Sequence, residues 1–177
     1  GIGPKPEQIA QIQRSDGQWR IEETWPPSDI EWIGISMGDC TNMGNSWVGG
    51  APVVGGVTEV VVECPPFDQD THISGSVRLH LLASAVFDGG QVFVEMQDSS
   101  TGIRIGHATM DIRYHGGGSE PAGVIPGDTV TMMMEFQGVD HLLTSGNGIK
   151  LIMATTGKDY LGPACGGLCP DHVHIIE

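Results

Sequence analysis

The run Gly34-Ile35-Ser36-Met37-Gly38 matches Gly-x-Ser-x-Gly, the pattern that holds an acyl-transfer serine on a sharp strand-to-helix turn. That chemistry needs a strand before the serine, a helix after it and a base within hydrogen-bond reach. The next residues, Asp39-Cys40-Thr41-Asn42-Met43-Gly44-Asn45, read as loop. No parallel sheet with crossover helices is in sight. The match is therefore taken as coincidental, and no catalytic residue is assigned.

Metal ligation is the next chemistry the residue types allow. His172 and His174 lie two apart on a predicted strand and face one way, with Asp171 adjoining. Such a pair with one further ligand suits Zn²⁺ or Cu²⁺, although a terminal His-Val-His is also an ordinary solvated edge. Asp39, Asn42, Asp68 and Asp70 present hard oxygen atoms in loops, the donor type of a structural Ca²⁺. The same residues are common turn formers, and no EF-hand spacing is present. No cofactor is required. Cys40, Cys64, Cys165 and Cys169 allow two disulfides in three pairings, or four reduced thiols. Cys165 and Cys169, in the run Cys-Gly-Gly-Leu-Cys, are the easiest local pair, and Cys-x₃-Cys is not a usual zinc spacing.

Aromatic residues offer a third chemistry. Trp19, Trp25, Trp32 and Trp47 fall within the first 50 residues. Trp47, in a Gly-rich loop, and Tyr160 are candidates for stacking on a sugar ring. Trp19 and Trp25 are assigned to the core or to an interdomain contact.

The elements that must position these residues are strands. Residues 1–16 are polar, carry Pro4 and Pro6, and read as a lead-in to a single domain over 17–177. Alternation from Gln18 predicts a strand stopped at Pro26-Pro27, and Glu31–Ser36 a second. Residues 38–56 form a long loop. Further strands are predicted at Val57–Glu63, Ile73–Ala83, Gln91–Gln97, Ile103–Tyr114, Thr129–Phe136, Gly148–Thr155 and Val173–Ile176. Val139–Leu143 reads as one helical turn. With 27 Gly and 11 Pro in 177 residues and no long helix, the pattern is an all-β antiparallel sandwich or jelly roll. Net charge of −14 repels phosphate backbones, which excludes nucleic acid. No run of apolar residues is long enough for a membrane span.

The order of these segments resembles a known family. Trp19-Arg20, then Glu23-Thr24-Trp25-Pro26-Pro27, is similar to the opening of the C-terminal domain of X-prolyl dipeptidyl-peptidase and cocaine-esterase type serine hydrolases. Pro65-Pro66-Phe67 through Ile73–Leu79 looks like that family's Ile-x-Gly-x-Pro-x-Leu strand. Gly89–Asp98 resembles its next strand, which ends in an acidic residue before a turn, and Ile103–Tyr114 the strand after. Pro126-Gly127 and Gly146–Leu151 resemble the closing segment, with Asn147-Gly148-Ile149-Lys150 where the family shows His-Arg. The likeness runs from about residue 9 to 156. It implies a jelly roll of galactose-binding-like fold, without catalytic residues, that supports a separate α/β-hydrolase domain carrying the Ser-Asp-His triad.

The leading expectation is thus an accessory domain of a serine hydrolase, partnered by that catalytic domain or by a second copy. A free-standing carbohydrate-binding module and an extracellular structural or assembly subunit are the alternatives. An extracellular or periplasmic location is favoured over the cytoplasm. Met132-Met133-Met134, apolar on both faces of one strand, and Trp25 mark the expected docking patch.

Overall fold

A computed structural model describes residues 10–42, 59–85, 89–154 and 173–175. Ten strands run through them: β1 Ala10–Gln13, β2 Trp19–Glu22, β3 Thr41–Asn42, β4 Glu59–Glu63, β5 Thr71–Ala85, β6 Gln91–Asp98, β7 Arg104–Asp111, β8 Thr129–Leu143, β9 Ile149–Ala154 and β10 Val173–Ile175. Every pairing is antiparallel. One sheet has the order β10-β5-β8, a second the order β3-β4-β9-β6-β7, and β1 with β2 forms a separate hairpin. The two larger sheets make the β-sandwich that alternation and turn spacing predict.

Their facing side chains form the core. Leu81 and Ala83 of β5 and Met132, Met134 and Phe136 of β8 come from one sheet; Val92, Val94 and Met96 of β6 and Leu151 and Met153 of β9 come from the other. Period-2 alternation puts these residues on one side of each strand. Met132 and Met134, two apart, are therefore core residues. Only Met133, opposite His80, faces solvent, at 46% exposure. The expected docking patch at Met132–Met134 thus reduces to one side chain.

Four further expectations are corrected. Ala10–Gln13, assigned to the lead-in, is a strand paired with β2. Glu31–Ser36 joins no ladder among the described residues. Trp19, expected in the core or an interdomain contact, is 66% exposed, which removes the core alternative. Val139–Leu143 is not a helical turn but the second half of β8.

That last difference has a clear cause. Phe136 pairs with Val77 and Val139 with Gly75, so Gln137 and Gly138 of β8 stand opposite Ser76 alone. This is a β-bulge, and Gly138 takes the left-handed φ of 65° that such a position favours. Before the bulge, even-numbered residues of β8 face the core; after it, Val139, His141 and Leu143 do. The alternation changes phase within one strand, which a simple period-2 reading takes as a strand end.

Cys40 is bridged to Cys64, 24 residues away, fastening the end of the first 40 residues to β4. Cys165 and Cys169 lie outside the described residues.

Close approach of β7 and β8 explains one glycine. A Cβ on Gly106 would lie 2.8 Å from Val139 Cγ1 and 3.6 Å from the Phe136 ring, both buried. Gly106→Ala should cost about 1–3 kcal/mol through overpacking, read as a lowered midpoint in chemical unfolding with an unchanged slope. Reduction of Cys40–Cys64 should cost about 3 kcal/mol from the freed loop in the unfolded chain, measured by the same titration with and without reductant.

Candidate functional site

The phase change in β8 sends two adjacent polar side chains in opposite directions. Asp140 and His141 are both almost fully buried. Burying such groups is costly unless each is hydrogen-bonded, and their partners come from four separate elements.

Asp140 faces the hairpin. Arg20 of β2 donates to it through two nitrogens, Nε to Oδ2 at 2.9 Å and Nη2 to Oδ1 at 3.0 Å. This two-pronged geometry is the strong form of a charge pair. His72 Nε2 lies 2.7 Å from Oδ1, and the Ser74 hydroxyl donates to the same oxygen at 3.2 Å. Arg20 also donates to Ser74 Oγ at 2.7 Å and to Glu22, and its guanidinium stands 5.9 Å from the centre of the Trp25 ring. Trp25, expected at a docking patch, is half-buried over this arginine.

His141 faces the sandwich interior. Its Nε2 lies 3.1 Å from Asp98 Oδ2 at the end of β6, and its Nδ1 contacts the hydroxyl of Ser15 in the β1–β2 turn. With Nε2–H donating to Asp98, Nδ1 accepts from Ser15. Ser15 N–H donates to the Asp140 carbonyl at 2.9 Å. Asp98 Oδ1 accepts from the Ser100 N–H at 2.9 Å, the Ser100 hydroxyl at 2.8 Å and the Thr101 N–H at 3.0 Å. Burial opposes ionisation of Asp98 most strongly, but the Thr101, His141 and Ser100 hydrogen bonds together outweigh it and hold the pKa down at about 2.

Ser15, His141 and Asp98 have the residue types of a hydrolytic triad. Their arrangement argues for a fastener instead. The imidazole meets serine through Nδ1 and carboxylate through Nε2, the reverse of the usual triad. The N–H of Ser15, which an oxyanion would need, is bound to Asp140. Ser15 also lies outside the lining of the cleft described below. The cluster pins the hairpin to the sandwich by polar contacts, while Trp19 and Ile21 of the same hairpin stay 66% and 68% exposed.

Ser36 is likewise not a nucleophile elbow. It caps a 3₁₀ turn over Met37–Asp39, its hydroxyl accepting from Gly38 N–H at 3.2 Å. Asp39 and Asp68 are exposed. Asp70 accepts from Ser145 N–H at 2.8 Å and the Asp68 carbonyl from Ser145 Oγ at 2.9 Å, so this pair clasps the β8–β9 turn. Asn42 pairs with Val62 and His174 with Ser84. Among the described residues no three His, Cys, Asp or Glu side chains gather where a metal ion could bind. Trp47, Tyr160 and His172 lie outside the described residues. The sequence reading missed Ser15, Arg20, Ser74, Asp98 and Asp140. The signal was the Asp140-His141 doublet between apolar residues of one strand.

A cleft of about 1010 Å³ adjoins this cluster, lined by Arg20, His72 and Ser74 at one end and by the remainder of β5 and the segment Asp29–Met37 along its length.

Asp98 makes stability depend on acid. Its carboxyl is depressed in the fold relative to the ordinary value of 3.8, so its contribution is complete above about pH 4 and is lost as pH falls through about 2. The shift corresponds to about 2 kcal/mol. Asp98→Asn should be destabilised by that order at pH 6, with the gap to the parent closing by pH 2 in parallel urea titrations.

Comparison with known proteins agrees with this architecture. The family model for the X-Pro dipeptidyl-peptidase C-terminal non-catalytic domain matches residues 56–172. No curated protein matches. Among solved structures, a CocE/NonD family hydrolase from Staphylococcus aureus superposes with a TM-score of 0.58 at 12% identity, over 96% of this chain and 37% of that one. An aminopeptidase from a marine sediment archaeon, Thaumarchaeota archaeon, gives 0.55 at 12%, over 82% and 33%. The chain thus spans about a third of each of these proteins, and the likeness at such identity is one of fold. With more than half its length matched by the family model, the chain belongs to the X-Pro dipeptidyl-peptidase C-terminal non-catalytic domain family.

Proposed function

We propose that this domain serves as the accessory domain of a longer serine hydrolase of the dipeptidyl-peptidase or acyl-esterase type, supporting the catalytic domain and the approach of substrate to it. The observation that carries the reading is the family match on a sandwich whose two serine motifs are both structural, Ser36 as a cap and Ser15 as a fastener. Among the large apolar side chains exposed by more than half, Trp19, Ile21, Trp32 and Ile33 lie in the first 33 residues and Ile125 lies elsewhere. Aromatic and branched side chains exposed together suit a docking surface.

A disulfide at Cys40–Cys64 favours an oxidising compartment, extracellular or periplasmic. Among the described residues no helix is long and apolar enough to cross a membrane.

The 177-residue chain alone should leave nitrophenyl esters and X-Pro nitroanilides unhydrolysed above buffer background. Turnover abolished by Ser36→Ala or Ser15→Ala would overturn the reading. Finding the natural gene to encode an upstream α/β-hydrolase domain, with activity lost when the present domain is deleted, would support it.

A further inference from the structure

Strand β5 is long and lies between β10 and β8, yet its two edges are unequally covered. β8 pairs with it from Thr71 to Ser84, while β10 pairs only with Ala83, Ser84 and Ala85. Among the described residues, the β10-side edge from Thr71 to Leu82 has no strand partner. An uncovered edge presents a row of main-chain donors and acceptors.

The cleft runs beside this edge. Its lining takes in Thr71–Ser74 and Ser76–Leu82, side chains of both faces of β5, together with Thr131 of β8, so it follows the rim of the sheet and reaches over its outer face beside Leu82. The omitted Gly75 is covered: a Cβ there would meet Pro26 at 3.0 Å and Ile30 at 3.8 Å. The far wall is Asp29–Met37, of which residues 30–36 join no ladder among the described residues and Met37 opens the 3₁₀ turn, with the Arg78 guanidinium 5.0 Å from the Trp32 ring. Phe67 and Ile149 form part of the floor, so the slot opens onto the core.

Burial along β5 tells the same story. Ala83 and Ala85, where β10 covers the edge, are fully buried, and so is their neighbour Leu81. Ile73, Val77 and Leu79 carry the same inward alternation but stay only partly buried. Among the described residues the sheet is complete at one end of the strand and has no neighbour on the β10 side along the rest.

We propose that this slot takes an extended segment of a partner polypeptide, added antiparallel to β5 along the line of β10, with apolar side chains at alternate positions entering between β5 and Ile35. Main-chain pairing to β5 supplies affinity, and Val77 and Leu79 supply selection for the inward side chains. Beyond the covered Gly75, the seven residues from Ser76 to Leu82 span about 23 Å at strand rise, and the cleft of about 1010 Å³ is at the upper end of small-molecule pockets, suiting a segment more than a compact ligand. This inference goes beyond the accessory role and does not depend on which enzyme the domain serves.

The test uses the whole chain, isotope-labelled, titrated with the capped peptide Lys-Val-Thr-Val-Thr-Val-Thr-Lys, whose terminal lysines suit an acidic protein. Amide shifts should map to Ser76–Leu82 and the Trp32 indole, and exchange-labile amides of β5 should gain protection on binding. The same peptide N-methylated at every residue keeps the side chains but loses the donors, and should bind about tenfold or more weakly. Equal binding of the methylated peptide, shifts mapping elsewhere, or no shifts at millimolar peptide each overturn the proposal. So does slow exchange of every β5 amide in the free chain, which would mean that the edge is already filled.

Discussion

One extra residue in β8 sets the terms for much of the molecule. Had Gln137 and Gly138 both kept the regular alternation of the strand, with no bulge, Asp140 would face the core in line with Phe136, and His141 would face out. An aspartate directed among methionines without donors would cost several kcal/mol. The bulge instead directs Asp140 toward the hairpin, where Arg20, His72 and Ser74 meet it, and His141 toward Asp98. The same shift carries Val139 against Gly106, which is why β7 must have no side chain there. Hairpin attachment, the acid-sensitive carboxylate and the close packing of β7 on β8 are thus linked to one local irregularity.

The hairpin is attached by an unusual division of labour. Two-stranded sheets have little stability of their own and need a third surface. Here that surface is polar: Ser15 and Arg20 hold the hairpin through buried acceptors on β8, and its apolar residues remain outside. Polar fastening fixes orientation through distances and angles, whereas apolar contact tolerates sliding. Held in this way, the hairpin keeps Trp19 and Ile21 in fixed, exposed positions.

Legibility in the sequence tracked the physics of each element. Strands β4, β5, β6, β7 and β9 were readable because β-branched and apolar residues alternate between clear turns, as in Gln91–Asp98 after Gly89-Gly90. The family was readable from motif order. β1 was not, because a hairpin without a buried apolar face carries no hydrophobic period. The second half of β8 was lost at Gly138. The polar cluster was hidden for another reason: its members are 126 positions apart at the extremes, Ser15 and His141, and only the bulge brings them together. Buried acceptors in strands leave only a faint mark in sequence, a polar doublet where apolar residues are due.

The bridge between Cys40 and Cys64 also determines how the domain bears load. A pull from the N-terminal side reaches the hairpin first, where Ser15 and Arg20 can yield one after another. Extension then runs along Asp29–Met37 until it meets Cys40. There the covalent link passes tension straight to β4, bypassing the residues between, and β4 lies in the five-stranded sheet beside β9. Residues 10–39 thus lie outside the covalent loop, and tension passed through Cys40 enters the sandwich at β4.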